Sequence, residues 1–172
     1  MLKAGLPWTD GLAWDHKGKC DIAQIIVSRS INCIDFIQFV YVEDEGKKLV
    51  VSEKIGNDVP IIFSLNTITL DYPHEVITGS GVKGKCEELS TGDSEGFQKL
   101  LRSITFVTNK RSYGPFEVEQ TAGSEEFEFE YHVGFKQFGG FFGTYMLYGL
   151  ETIGIYMKPM EKLLNSTSIK TE

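Results

Sequence analysis

A chain of 172 residues falls within the usual span of one domain, and its 41% hydrophobic content, with 12 Phe and 7 Tyr, is ample for one core. Lys and Arg number 17 against 24 Asp and Glu, a formal charge of -7 with a pI near 5.0, which argues against nucleic acid as a partner. No stretch approaches the roughly 20 apolar residues that span a bilayer, so no membrane partner is expected.

In chain order, the opening MLKAGLPWTDGLAWDHKGK has no apolar run of the secretory type, which predicts a cytoplasmic or nucleocytoplasmic protein. The segment CDIAQIIVS and the following Ile37-Gln38-Phe39-Val40-Tyr41 read as strands rich in β-branched and aromatic residues. Cys20, Cys33 and Cys86 are an odd count without CxxC spacing, so they are expected to be reduced thiols of structural use. His74, behind Pro73, reads as a turn residue held by backbone contacts. The stretch Gly79 to Cys86 satisfies GxGxxG and nearly satisfies a phosphate loop. Cys86 cannot supply the hydroxyl that holds magnesium, however, and the glycines of EELSTGDSEG would break the required helix. A Gly-rich connection between strands is expected there instead.

Further on, Glu126 to Tyr131 alternates carboxylates with aromatics, which predicts a strand with a solvated outer face. A calcium site needs oxygens converging from a loop, so neither metal nor cofactor is expected. His16, His74 and His132 lack the companions of a zinc site or a catalytic triad, and no nucleophile elbow is present. An enzyme is therefore not expected. Residues 1–159 read as one domain and 160–172 as a tail, with at most a short helix in MEKLL. The sequon at Asn165 is expected to carry no glycan.

A pattern of apolar-x-x-Ile-x-apolar recurs three times. The copies are Ile34, Ile37, Phe39; Leu101, Ile104, Phe106; and Leu150, Ile153, Ile155. Each follows a strand-like or Gly-bearing segment, as if a strand pair were repeated. Three such pairs can close a prism or barrel that hides sheet edges and gathers loops at one end. This predicts an all-β fold whose nine repeat side chains share one centre.

Four groups of residues carry a family likeness: Arg102 to Asn109 with Tyr113-Gly114-Pro115-Phe116, Gly139-Gly140-Phe141-Phe142-Gly143, Ile153-Gly154-Ile155-Tyr156, and the opening Pro7-Trp8 with Gly11, Trp14 and Asp15. Together they resemble the jacalin-related lectins of plants, over nearly the whole chain from Gly5 to Pro159. The resemblance implies a β-prism of three four-stranded antiparallel sheets with pseudo-threefold symmetry, and one sugar site formed by a glycine of the N-terminal loop and a GxxxD loop of the last sheet. It also implies the mannose-preferring cytoplasmic branch, and in detail the single-domain plant proteins that restrict virus movement.

Placed on that pattern, the site comprises Gly11, Tyr145, Met146, Leu147, Tyr148, Gly149 and Glu151. A sugar needs a carboxylate to accept hydroxyl protons, groups that donate back, and an apolar surface for the ring. The family's Asp is Glu151 here, one methylene longer, which moves the carboxylate on the order of 1 Å. Leu147 stands where the motif has glycine, and Gly149 lies two residues before Glu151. Glu151 is thus either a sugar acceptor or a strand-edge carboxylate in water.

Two functions follow. One is a lectin for mannose/glucose-class glycans, its partner a glycan or glycoprotein, with a defence and antiviral role in plants. The other is a sugar-independent interaction module for a viral or host defence protein, its tyrosines and Met146 forming an apolar patch. A homodimer through sheet edges or faces fits either.

Overall fold

A computed structural model of the chain describes residues 1–6, 11–59, 64–90, 97–119 and 124–159. The tail and the sequon lie outside them, as does Pro7-Trp8. The strands are β1 (Leu2–Ala4), β2 (Leu12–Asp15), β3 (Ile22–Arg29), β4 (Ile34–Glu43), β5 (Lys48–Val51), β6 (Ile55–Gly56), β7 (Ser64–Thr69), β8 (Ile77–Ser90), β9 (Phe97–Thr108), β10 (Ser112–Glu117), β11 (Glu125–Val133), β12 (Phe138–Met146) and β13 (Gly149–Met157). Among the described residues one 3-10 turn, Asp44–Gly46, interrupts them.

All pairings are antiparallel and sort into three sheets. The first is ordered β1-β13-β12-β2, the second β5-β4-β3-β7, and the third β10-β9-β8-β11. In the second, β5 and β6 both pair with β4 and act as one interrupted edge strand, so each sheet is effectively four-stranded. The first and last described strands meet in the first sheet, where β1 pairs with β13.

Each of the nine repeat residues is 0% exposed, which confirms the common centre. Phe39 of the second sheet stacks on Phe141 of the first at 5.4 Å between ring centroids, and Phe106 of the third meets Phe141 edge-on at 5.6 Å. One phenyl ring from each sheet therefore closes the axis in arrangements that aromatic pairs favour.

The repeat extends to irregularities. One bulge per sheet lies near the loop end: the extra residue is Asp35 opposite Ser28 and Arg29, Arg102 opposite Lys85 and Cys86, and Glu151 opposite Thr144 and Tyr145. Each is the residue immediately after the first member of its apolar trio. A second bulge per sheet lies at the other end, and in the third sheet it absorbs the glycine-rich stretch. Gly79 to Cys86 is therefore not a connection but part of β8. Gly79 and Gly81 adopt φ of 64° and 47°, and a Cβ on Gly81 would stand 2.9 Å from the Tyr131 carbonyl oxygen.

The acidic ladder of β11 faces outward as predicted, yet it faces lysines as well as water, since Glu128 lies opposite Lys85 and Glu130 opposite Lys83. His74 sits in a turn where its amide donates to the Asp71 carbonyl and its own carbonyl accepts from the Asn109 side chain.

That turn is anchored by Glu75, which is 4% exposed. Burial pushes its carboxyl up, but hydrogen bonds from the Tyr113 hydroxyl, the Asp71 amide and the Thr108 hydroxyl outweigh it and hold the group below the ordinary glutamate range. A folded value below the unfolded one means that the stabilisation is complete above the unfolded pKa and is lost as pH falls through the folded one. Glu75→Gln should lower stability by about 2 kcal/mol at neutral pH, with the gap to wild type shrinking in acid. Urea midpoints at both pH values measure this, and a pH-independent gap would refute it.

Candidate functional site

The residues proposed from sequence lie on the β12–β13 hairpin and at the entry to β2. Met146 pairs with Gly149, leaving a turn of only Leu147 and Tyr148. Two-residue hairpins favour mirror-image turns with positive φ, which match strand twist. Among the described non-glycine residues positive φ occurs only at Asp44, Glu45 and Lys136, so this turn is of another type. The bulge at Glu151 adds local twist close behind the turn and re-aims that side chain. Thr144 and Thr152 brace the hairpin, through a bond of 3.1 Å from the Thr144 amide and a hydroxyl pair at 2.7 Å.

Glu151 is only 1% exposed, so it is not a strand-edge carboxylate in water. A Cβ on Gly11 would stand 2.7 Å from its Oε2 and 2.7 Å from the Tyr145 carbonyl oxygen. Position 11 therefore admits little more than hydrogen, and the N-terminal segment lies directly against the carboxylate. The structure thus brings Gly11, Tyr145 and Glu151 together. Leu147 stands at the tip, 82% exposed, while Met146 and Tyr148 are half-buried.

Gly149 faces elsewhere. A Cβ there would stand 2.6 Å from Cys33 Sγ and 2.9 Å from the Ile34 carbonyl oxygen, so its glycine serves the contact between the first two sheets. Cys33 also donates to the Tyr148 carbonyl at 3.4 Å, and Cys86 of the third sheet donates to the Glu151 carbonyl at 3.7 Å. Burial first, and then Asp35 and Glu151 respectively, push the two thiols up to about 12. They are neutral wedges between sheets, and all three cysteines are free.

Residues missed in the sequence are Asp35 and Arg102, which repeat the position of Glu151. Asp35, 3% exposed, accepts a bond from Ser28 at 3.5 Å, and burial raises its carboxyl. Arg102, also 3% exposed, pairs with Glu87 and donates to the Glu119 carbonyl. The available signal was a charged residue following each trio's first member.

His16 bridges Tyr41, 2.6 Å from its hydroxyl, and Glu53, at 2.9 Å. Burial, then Glu53 and Cys20, push the Tyr41 hydroxyl above its ordinary value, so this chain ties β2 to the second sheet rather than supplying a nucleophile. Among the described residues, no group of three or more His, Cys, Asp or Glu is placed to hold a metal ion.

Three sheets on one axis, with an N-terminal glycine against a last-sheet carboxylate, match the arrangement implied by the sequence likeness, and residues 7–156 match the family model of the Jacalin-like lectin domain. The chain belongs to the jacalin-like lectin family. It is 39% identical over 153 residues to Protein RESTRICTED TEV MOVEMENT 1 of Arabidopsis thaliana, covering 88% of this chain and 77% of that protein. It is 35% identical over 161 residues to Jacalin-related lectin 2 of Arabidopsis thaliana, covering 91% and 79%. The solved structure of a mannose-binding jacalin-related lectin from Ananas comosus superposes with a TM-score of 0.62 at 26% identity, covering 92% of this chain and 99% of that one. Family and fold make this jacalin-like domain a non-enzymatic, carbohydrate-binding type.

In this lectin domain the glycine and thiol contact between sheets is measurable. Gly149→Ala should cost about 1–3 kcal/mol through overpacking, and Cys33→Ala should recover part of that loss in the double variant. Strictly additive losses would show that the two positions do not press on each other.

Proposed function

We propose that the domain binds mannose/glucose-class glycans, free or on a glycoprotein, where Gly11 meets the β12–β13 hairpin. Glu151 accepts sugar hydroxyl protons, and Tyr145, Tyr148 and Met146 flank the ring. The reading is carried by the contact between Gly11 and the Glu151 carboxylate, which joins two distant parts of the sequence at one spot. The longer glutamate supplies the reach to turn the carboxylate outward past a residue that has no side chain. Because that turn costs ordering energy, binding is weak and millimolar. The mannose-binding name of the Ananas comosus relative supports the sugar class.

We also infer a defence role, antiviral in kind, supported by the likeness to RESTRICTED TEV MOVEMENT 1. Three unpaired thiols suit a cytoplasmic setting. Residues 1–159 are the working lectin domain with 160–172 a tail, and a homodimer through sheet edges would show as twice the chain mass in sedimentation.

A second reading, a sugar-independent contact with a viral or host protein, is favoured by apolar exposure at the same end. Ile31 and Leu147 are each 82% exposed and Leu12 is 56% exposed, and the Cys33 contact sets the first two hairpin tips side by side.

Titration with methyl α-mannopyranoside, followed by amide NMR, tests the first reading. Signals of residues 11 and 145–151 should move at millimolar sugar, and Glu151→Gln should weaken binding at least about tenfold. A silent hairpin would end the sugar reading. Capture of a viral or host protein that survives excess mannoside would then support the second, whereas competition by mannoside would exclude it.

A further inference from the structure

The three outer sheet faces differ in a way that the core does not. On the first sheet, Phe142 lies across Gly154, where a Cβ would stand 2.5 Å from the ring, and Lys3 Nζ stands 4.1 Å above its centroid. On the second, Phe36 is 3% exposed, with Lys54 Nζ 5.1 Å from its ring centroid. Each of these faces carries an aromatic ring under a lysine, a favourable pairing of cation and π-face, and on the first sheet that ring walls one side of a hollow of about 400 Å³.

At the positions of Phe36 and Phe142 the third face carries Ser103 and Lys83 instead of rings, and Phe129 of β11 forms part of its lining. The repeat places Ser103 at the position of Phe36 and Thr152, and Thr105 at the position of Gln38 and Gly154. What remains is a hollow of about 530 Å³ on the outside of β8, β9, β10 and β11. Ser103 and Thr105 line it at 4% and 5% exposure, and neither side-chain hydroxyl makes a hydrogen bond among the described residues. The far wall is β10, where a bulge between Tyr113 and Phe116 contains Gly114 and Pro115 and shifts the edge strand out of simple register.

The charges around it are partly committed. Lys85 Nζ stands 3.6 Å from both Glu117 and Glu126, whereas Lys83 and Glu128 have no ion-pair partner among the described residues. Among the described residues around it, the groups in neither a hydrogen bond nor an ion pair are thus the hydroxyls of Ser103, Thr105 and Ser112, the Lys83 ammonium opposite Glu130 and the Glu128 carboxylate opposite Lys85. This is a mixture of donors and acceptors in a space within the usual size of small-molecule sites. A sugar ring presents hydroxyls that both donate and accept. A phosphate or an acidic sugar would meet the Glu128 carboxylate, and a plain aromatic ring would leave the polar groups unanswered.

We infer that the outer face of the third sheet is a second saccharide site, taking a neutral pyranose whose ring occupies the space that Phe36 and Phe142 fill on the other two sheets. It shares no residue with the loop-end site. A single chain with one site at its end and one on its side can bridge two glycan branches without forming an oligomer.

Amide NMR titration with methyl α-mannopyranoside, methyl α-glucopyranoside and methyl β-galactopyranoside tests this on the full chain. At least one should shift signals of residues 83, 103 and 105 at millimolar concentration. Ser103→Phe, which copies the second sheet, should abolish those shifts. Thr105→Val, nearly isosteric and without the hydroxyl, should weaken them by up to about tenfold, guarding against a misfolded Phe variant. Glu151→Gln should leave them intact, which separates this site from the loop-end site. The inference is overturned if none of the three sugars moves these signals, if Thr105→Val leaves them unchanged, or if N-acetylphenylalanine amide produces the same shifts at the same concentration.

Discussion

Closure of three sheets on one axis is the constraint from which the other features follow. Nine side chains at 0% exposure and three touching phenyl rings, Phe39, Phe106 and Phe141, leave no freedom for one sheet to slide against the others. A one-residue slip in β4, β9 or β13 would turn its trio to solvent and its outer residues inward. Register is therefore fixed first, and what remains adjustable lies where register is broken, at the bulges and turns.

The loop-end bulge is where the repeat passes from packing to chemistry. In each sheet it follows the first apolar residue of the trio and places a charged side chain, Asp35, Arg102 or Glu151, in a buried position. Buried charge is costly unless bonded, and the three sheets meet the requirement differently. Asp35 takes a local hydroxyl, Arg102 takes Glu87 and a carbonyl, and Glu151 lies against the Gly11 segment. Glu151 is the one covered by a glycine from the distant entry to β2, so it is the one for which uncovering requires no side chain to move aside at position 11. The carboxylate proposed to meet a sugar is thus one copy of a repeated structural device, set apart by its surroundings.

The apolar trios were readable because a strand's inward positions depend only on residue type and spacing. Glu126 to Tyr131 was readable for the same reason. The stretch Gly79 to Cys86 was not, because its glycines serve a bulge inside β8, and a bulge glycine looks like a loop glycine without the partner strand in view. The burial of Glu151 was equally hidden. Its neighbours in space are Gly11, at the other end of the chain, and Cys86, on another sheet. Gly149 counts among the site candidates as part of the loop before Glu151, yet its lack of a side chain serves Cys33. Family likeness pointed to the loop, but contacts across sheets decide which of its residues turn outward and which are buried.

The outer faces carry the same lesson to the surface. Symmetry fixes equivalent backbone positions, yet two sheets set a ring under a lysine on the outer trough, while the third lines it with Ser103 and Thr105. These positions do not contribute to the common centre, so their chemistry can diverge at little cost to closure. A change there alters what the surface accepts without disturbing the axis, whereas the same change one residue along the strand would enter the core. The fold thus confines variation to two places, the bulged loop end and the outward-facing residues of each sheet, and those are the places where a module of this architecture can acquire a ligand.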